Sequence, residues 1–153
     1  MNRGEEAERL FKEGCNCSVA VVLAFRDRLQ ETLGAGENEL KKIAIGFGGG
    51  LARQRLTCGA VSGMTMVLGA LLSDGEDKGE IYRTVQKACA DFSAETGTLI
   101  CADLLKNNGG EDSSPMPEAR TEQYYAKRPC LKLCGLAAEI AQKYLENSKH
   151  SDK

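Results

Sequence analysis

Four of the seven cysteines, Cys17, Cys58, Cys101 and Cys130, each fall within the first few residues of a segment that reads as a helix start. A helix start offers unpaired N–H groups and partial positive charge, which stabilise a thiolate and lower its pKa. Their equivalent placement suggests a shared site, reached when four helix starts meet at one end of a bundle. Local spacing adds nothing, because there is neither a Cys-x-x-Cys finger nor a ferredoxin run. The competing account is that small apolar thiols simply pack well at helix junctions. Both accounts stay open on placement alone.

The elements that must position these sulfurs follow from apolar periodicity. Glu5 to Glu13 is a short amphipathic helix through Ala7, Leu10 and Phe11, ended by Gly14. Asn16 suits an N-cap, and Cys17 to about Leu33 carries Val19, Val22, Leu23, Phe25 and Leu29. A further helix opens at Glu37 or Asn38, runs through Leu40, Ile43 and Ala44, and ends in Gly48-Gly49-Gly50. Leu56 to Leu72 is an apolar helix with Thr57 as its N-cap and Cys58 as its first residue. Its glycines, Gly59, Gly63 and Gly69, predict close helix contact. Lys78 to Glu95 follows with Ile81, Val85, Ala88, Cys89 and Phe92 on one stripe, stopped by Gly97. Thr98 caps a short helix from Leu99 to Leu105, and Pro129 suits the first position of a helix running to Leu145. Residues 106–117 read as a mobile loop and 147–153 as a frayed tail. Tyr124 and Tyr125 are placed to close the loop onto the body. The aromatics Phe11, Phe25, Phe47 and Phe92 are expected in the core. The sum is an all-α single-domain bundle of about six helices spanning residues 1–153, with a buried glycine-rich central helix.

Composition narrows the functions. The 153 residues suit one core. With 20 Lys plus Arg against 22 Asp plus Glu, the net charge of −2 gives no drive for nucleic-acid binding. The stretch from Leu56 to Ser73 lacks charge but is too polar for a membrane span. The N-terminal residues do not read as a secretory signal, so a cytoplasmic protein is expected. In that reducing setting cysteines more often bind metal or do redox chemistry than form structural disulfides, and an odd count precludes complete pairing. The only histidine, His150, lies in the tail, which leaves no Ser/His/Asp set. Acidic pairs such as Glu5-Glu6 and Glu111-Asp112 read as solvated. The glycines from Gly46 to Gly50 match neither a phosphate loop nor a dinucleotide fingerprint. Arg53 and Arg55 before Cys58, like Lys127 and Arg128 before Cys130, are placed to offset thiolate charge or bind an anion, although ordinary surface charge accounts for some of them.

The run Thr57-Cys58-Gly59-Ala60-Val61-Ser62-Gly63, preceded by Gly14-Cys15-Asn16-Cys17-Ser18 and followed by single cysteines, resembles the family known as C_GCAxxG_C_C, labelled redox-active. The segment from Thr96 to Leu105 is similar to that family's third cysteine block, and Cys130 with Ala137-Ala138-Glu139-Ile140 to its fourth. The resemblance implies that Cys17, Cys58, Cys101 and Cys130 are the family cysteines and Cys15, Cys89 and Cys134 extras. Gly59, Arg53 and Arg55 are then expected at a cofactor site. A related domain in split-Soret cytochromes is associated with a non-haem iron centre held by cysteines, which favours metal here. Covalent haem is not expected, because no Cys-x-x-Cys-His is present.

Three functions remain. The first is an iron–sulfur cluster, or zinc or another thiophilic metal, held by the four thiolates for electron transfer with an unidentified redox partner. The second is thiol–disulfide exchange through the same four cysteines. The third is a helical interaction module with packed thiols. A homodimer through the glycine-lined helix is a further expectation.

Overall fold

The structure is a computed structural model that describes residues 2–106 and 113–151, with the side chains of 126, 127 and 149–151 outside it. The described residues are helical and contain no strand. Helix α1 (Arg3–Lys12) starts at Asn2, whose side chain accepts the Glu5 N–H at 2.7 Å. Helix α2 (Cys17–Leu23) starts at Asn16, whose Oδ1 accepts the Val19 N–H at 3.0 Å. Both are the side-chain caps that Asn supplies to orphan N–H groups.

The helix expected from Cys17 to Leu33 breaks in two. Phe25 leaves helical geometry at φ −113°, ψ 18°, and α3 (Arg26–Leu33) follows. Two arginines satisfy carbonyls at the break: Arg26 donates to Leu23 O and Arg3 to Ala24 O, each at 2.8 Å. The bend puts the Phe25 ring wholly inside the core.

Helix α4 (Glu37–Ala44) passes through a 3-10 turn, Ile45–Phe47, into α5 (Gly48–Leu51). This last segment is left-handed: Gly49 and Gly50 lie at φ 68° and 72°, and Leu51, Ala52 and Arg53 continue at 65°, 53° and 65°. For residues with a Cβ such geometry costs on the order of 1–2 kcal/mol each. Arg55 is also at φ 63°. The expected helix stop and loop is therefore a strained turn that uses its glycines for left-handed backbone.

Helix α6 (Gly59–Leu72) begins later than expected, with Cys58 as its N-cap in place of Thr57. The reason is tertiary. Thr57 pairs with Ile100 in an isolated antiparallel bridge. Beside it the Cys58 N–H donates to Leu99 O at 2.8 Å, and the Cys101 N–H to Leu56 O at 2.6 Å. Gly63 admits the α2 backbone, since a Cβ there would lie 2.8 Å from Ser18 O, whereas a Cβ on Gly69 would meet nothing within 4 Å. Of the three expected glycine contacts, Gly69 makes none.

Helix α7 (Lys78–Thr96) ends at left-handed Gly97 as expected. Helix α8 (Cys101–Leu104) is capped by Ile100, with Thr98 Oγ1 accepting the Ile100 N–H at 3.0 Å. Helix α9 (Glu122–Lys127), not foreseen, starts at Thr121, which accepts the Tyr124 N–H at 3.1 Å. Helix α10 (Cys130–Ser151) runs past Leu145, so residues 147–151 are helical rather than frayed. The chain is thus divided more finely than about six helices. Of the expected loop, residues 107–112 with Glu111-Asp112 lie outside the described residues, as do the side chain of His150 and the last two residues of the tail.

Helix α6 packs against α2, α10, α7 and α3, and α1 lies along α10. Phe11, Phe25, Phe92, Met64 and Leu68 fill the centre. Phe47 and Ile43 do not join it, at 37% and 66% exposure. Among the described residues no helix is long and apolar enough to cross a membrane, the stretch from Leu56 to Ser73 included.

Candidate metal centre

The four cysteines come from four separate elements: Cys17 opens α2, Cys58 caps α6, Cys101 opens α8 and Cys130 opens α10. They line one cavity of about 40 Å³, together with Gly49, Arg55, Gly59, Leu104, Leu105 and Leu133. No carboxylate or imidazole is among these lining residues. Cys58 and Cys101 are buried, Cys17 and Cys130 half-buried, and all seven cysteines are free thiols.

Glycine makes room for this convergence. A Cβ on Gly59 would run into Cys17 Sγ, and one on Gly50 would stand 2.7 Å from both Cys101 Cβ and the Leu56 nitrogen. Gly49 is at the wall as a donor: its N–H bonds Cys17, while Ala60 and Val61 donate to Cys58. These donors lower the thiol pKa values, as helix starts were expected to do, but burial outweighs them. Burial pushes the Cys17 thiol up. It pushes Cys58 up as well, aided by the neighbouring Cys17 sulfur. Cys130 is pushed up to about 12 by burial, then by Cys17 and Cys101, with Arg128 and Arg120 pulling the other way. The expectation of a lowered thiol pKa is corrected accordingly for Cys17, Cys58 and Cys130: a desolvated thiolate costs more than a few backbone donors return.

The two arginines before Cys58 turn opposite ways. Arg55 is buried, with Nη1 3.9 Å from Cys101 Sγ. Arg53 donates to the carbonyls of Ser114 and Met116 and sits 3.6 Å from Glu118, away from the sulfurs. Arg128 is buried and paired with the same Glu118, and the Lys127 side chain lies outside the described residues. Of the extra cysteines, Cys134 is wholly buried one turn after Cys130 and donates to Cys17 O at 3.8 Å. Cys15 lines a neighbouring cleft, and Cys89 packs on α7 against the core. Tyr124 and Tyr125 do pack on the body, against Phe11, with Arg120 4.1 Å over the Phe11 ring.

Residues 15–144, which include all seven cysteines, match the model of the family described as "Putative redox-active protein (C_GCAxxG_C_C)". The chain belongs to this family. It is also similar to an uncharacterised protein of Archaeoglobus fulgidus, 27% identical over 164 residues that cover 97% of this chain and 99% of the other. No solved structure matches the chain.

Gly49, Gly50 and Leu133 are site residues that sequence reasoning missed. The signal was present in the Gly48-Gly49-Gly50 run, which needs a backbone reason beyond ending a helix. The donor set suits a soft metal: four sulfurs, backbone N–H groups aimed at them and a buried guanidinium to offset their charge.

Proposed function

We propose that Cys17, Cys58, Cys101 and Cys130 hold an iron–sulfur cluster, or failing that zinc or another thiophilic metal, and that the chain transfers electrons to a redox partner. One observation carries this reading: four cysteines distant in sequence line a single cavity with no hard ligand among them. The sulfurs stand around that cavity rather than converging on a point. Among the described residues no three His, Cys, Asp or Glu side chains are placed to grip a lone ion.

A bound cluster supplies one-electron chemistry at a potential set by its charge and by hydrogen bonds to its sulfurs. The chain does the rest. Gly59 leaves Cys17 Sγ its space, Gly49 donates to that sulfur, Arg55 brings positive charge to Cys101, and Leu104, Leu105 and Leu133 exclude water. Because burial keeps Cys17, Cys58 and Cys130 protonated near neutral pH, taking up the group releases their protons. The same burial weakens the thiol-exchange reading, since an attacking thiol must first become a thiolate. The reading implies a reducing, cytoplasmic setting in which free thiols persist.

Purification without oxygen, followed by iron, zinc and acid-labile sulfide analysis, tests it. We expect stoichiometric iron and sulfide, lost completely in Cys58→Ala. Protein lacking iron, zinc and sulfide overturns the proposal. Alkylation before and after mild oxidation, read by mass spectrometry, addresses thiol exchange, which unchanged free-thiol counts would remove.

A further inference from the structure

Cys134 is an extra by resemblance, yet its surroundings are the family cysteines. Its side chain is wholly buried, and its Sγ donates to Cys17 O at 3.8 Å. The sulfurs that act on it are those of Cys17, Cys130 and Cys58, in that order. The other two extras face elsewhere, Cys15 lining a separate cleft and Cys89 lying on α7.

Helix geometry explains the placement. Residues four apart on a helix share a face, with Cβ atoms about 5–6 Å apart, and side chains lean towards the N-terminal turn. In α10 that turn begins with Cys130, and Cys130 and Leu133 line the sulfur cavity. Cys134 therefore leans along the same face towards the place that Cys130 occupies. Little holds it back, because an S–H contact to a carbonyl at 3.8 Å is a weak bond. A small buried thiol can serve for packing alone. Packing does not demand sulfur here, since the next buried positions of the helix include Ala137, Ala138 and Ala141.

The corners of the sulfur cavity are not held alike. Cys17 receives a backbone N–H from Gly49, and Cys58 receives those of Ala60 and Val61. Cys101 has Arg55 Nη1 at 3.9 Å. Cys130 is half-buried at the first residue of its helix, and what acts on it foremost is burial and the charges of neighbouring side chains. It is also the corner with another sulfur one turn away. Given that the four sulfurs are ligands, as proposed above, we propose that Cys134 is a reserve ligand, a fifth sulfur that takes the place of Cys130 at the site. Cys134 gives up its thiol proton as it binds, and the Cys130 sulfur takes one up as it leaves, so the charge of the site is unchanged. Both are thiolates of the same softness, so the same metals suit either set.

Iron, zinc and acid-labile sulfide analysis with absorbance spectra tests this on oxygen-free Cys130→Ala, Cys134→Ala and the double variant, with Cys58→Ala as the reference. We expect Cys130→Ala to keep about half or more of the wild-type metal, with an altered spectrum, because a fourth thiolate is still supplied. Cys134→Ala should keep all of it with the wild-type spectrum. The double variant should be as empty as Cys58→Ala. Cys130→Ala combined with Cys134→Ser keeps a hydroxyl donor for Cys17 O but offers a hard oxygen in place of sulfur. It should be equally empty with its helical circular dichroism intact, which separates loss of a ligand from loss of the fold. Cys130→Ala as empty as Cys58→Ala, metal retained by the double variant, or metal lost from Cys134→Ala overturns the reserve role. The reading of the four sulfurs falls separately, on wild-type protein without iron, zinc or sulfide, and takes the reserve role with it.

Discussion

The side-chain-capped helices and the segment 45–58 obey opposite rules. In α1, α2 and α7 the first turn is capped by Asn2, Asn16 and Asp77, and the buried faces carry Phe11, Val22 and Phe92. Each residue there does what its type favours. In 45–58 four non-glycine residues sit at left-handed φ, and apolar side chains such as Ile45 and Leu56 face outward. That segment gives up local stability so that Gly49 N–H, Arg55 and Cys58 reach one cavity while Arg53 reaches another. Stability resides mainly in the first region and chemistry in the second, the usual relation where strain gathers at a site.

Substitutions can break that contrast. The largest effect is expected in the core: Phe92→Ala, at a ring with no exposure, should cost about 3–5 kcal/mol in denaturant unfolding. At neutral pH it should leave the metal content of the folded fraction unchanged. Gly50→Ala should cost less, about 1–3 kcal/mol, yet empty the site. The added methyl would stand 2.7 Å from Leu56 N and Cys101 Cβ on a backbone at φ 72°, and faster alkylation of Cys101 reports the damage. If Gly50→Ala kept full metal occupancy, the division between the two regions would be wrong.

The opposite sign is expected on the helical side. Gly69→Ala within α6 has open space for its methyl and should raise stability by up to about 1 kcal/mol, measured as the denaturation midpoint.

The smallest effect concerns the contact between α7 and α10, where Asp91 Oδ2 accepts from Tyr144 at 2.7 Å and from Lys143 at 3.1 Å. These partners, Tyr144 foremost, hold the Asp91 carboxyl below its usual range. Burial and then Asp91 push Tyr144 up to about 12. The contact is complete between the unfolded pKa values of about 4 for Asp and 10 for Tyr. It fades as pH falls through the depressed Asp91 value, and as pH rises from about 10 towards 12. Asp91→Asn should therefore cost under about 1 kcal/mol, and only inside that window, as read from thermal midpoints across pH.

Much of the first region was legible beforehand because its rules are local. Asn16 caps its helix, Gly97 stops α7, and Pro129 stands immediately before α10. Local rules failed where a distant group intervened. At the break beside Phe25, Arg3 reaches the Ala24 carbonyl from 21 residues away, and the start of α6 moved because Thr57 pairs with Ile100. The thiol pKa direction went the same way. Helix-start donors were present as expected, but desolvation depends on what packs around the sulfur.

From residue types and spacing alone came the helical class, several helix ends and the four cysteines singled out from seven, since hydrophobic period, caps and a Cys-Gly-Ala-x-x-Gly element are properties of neighbours in the chain. Folding alone decided that those sulfurs share one cavity, that Arg53 and Arg55 part on either side of a left-handed turn, and that burial outweighs the N–H donors. Such outcomes depend on contacts between residues tens of positions apart, and no local pattern encodes the distance between them in space.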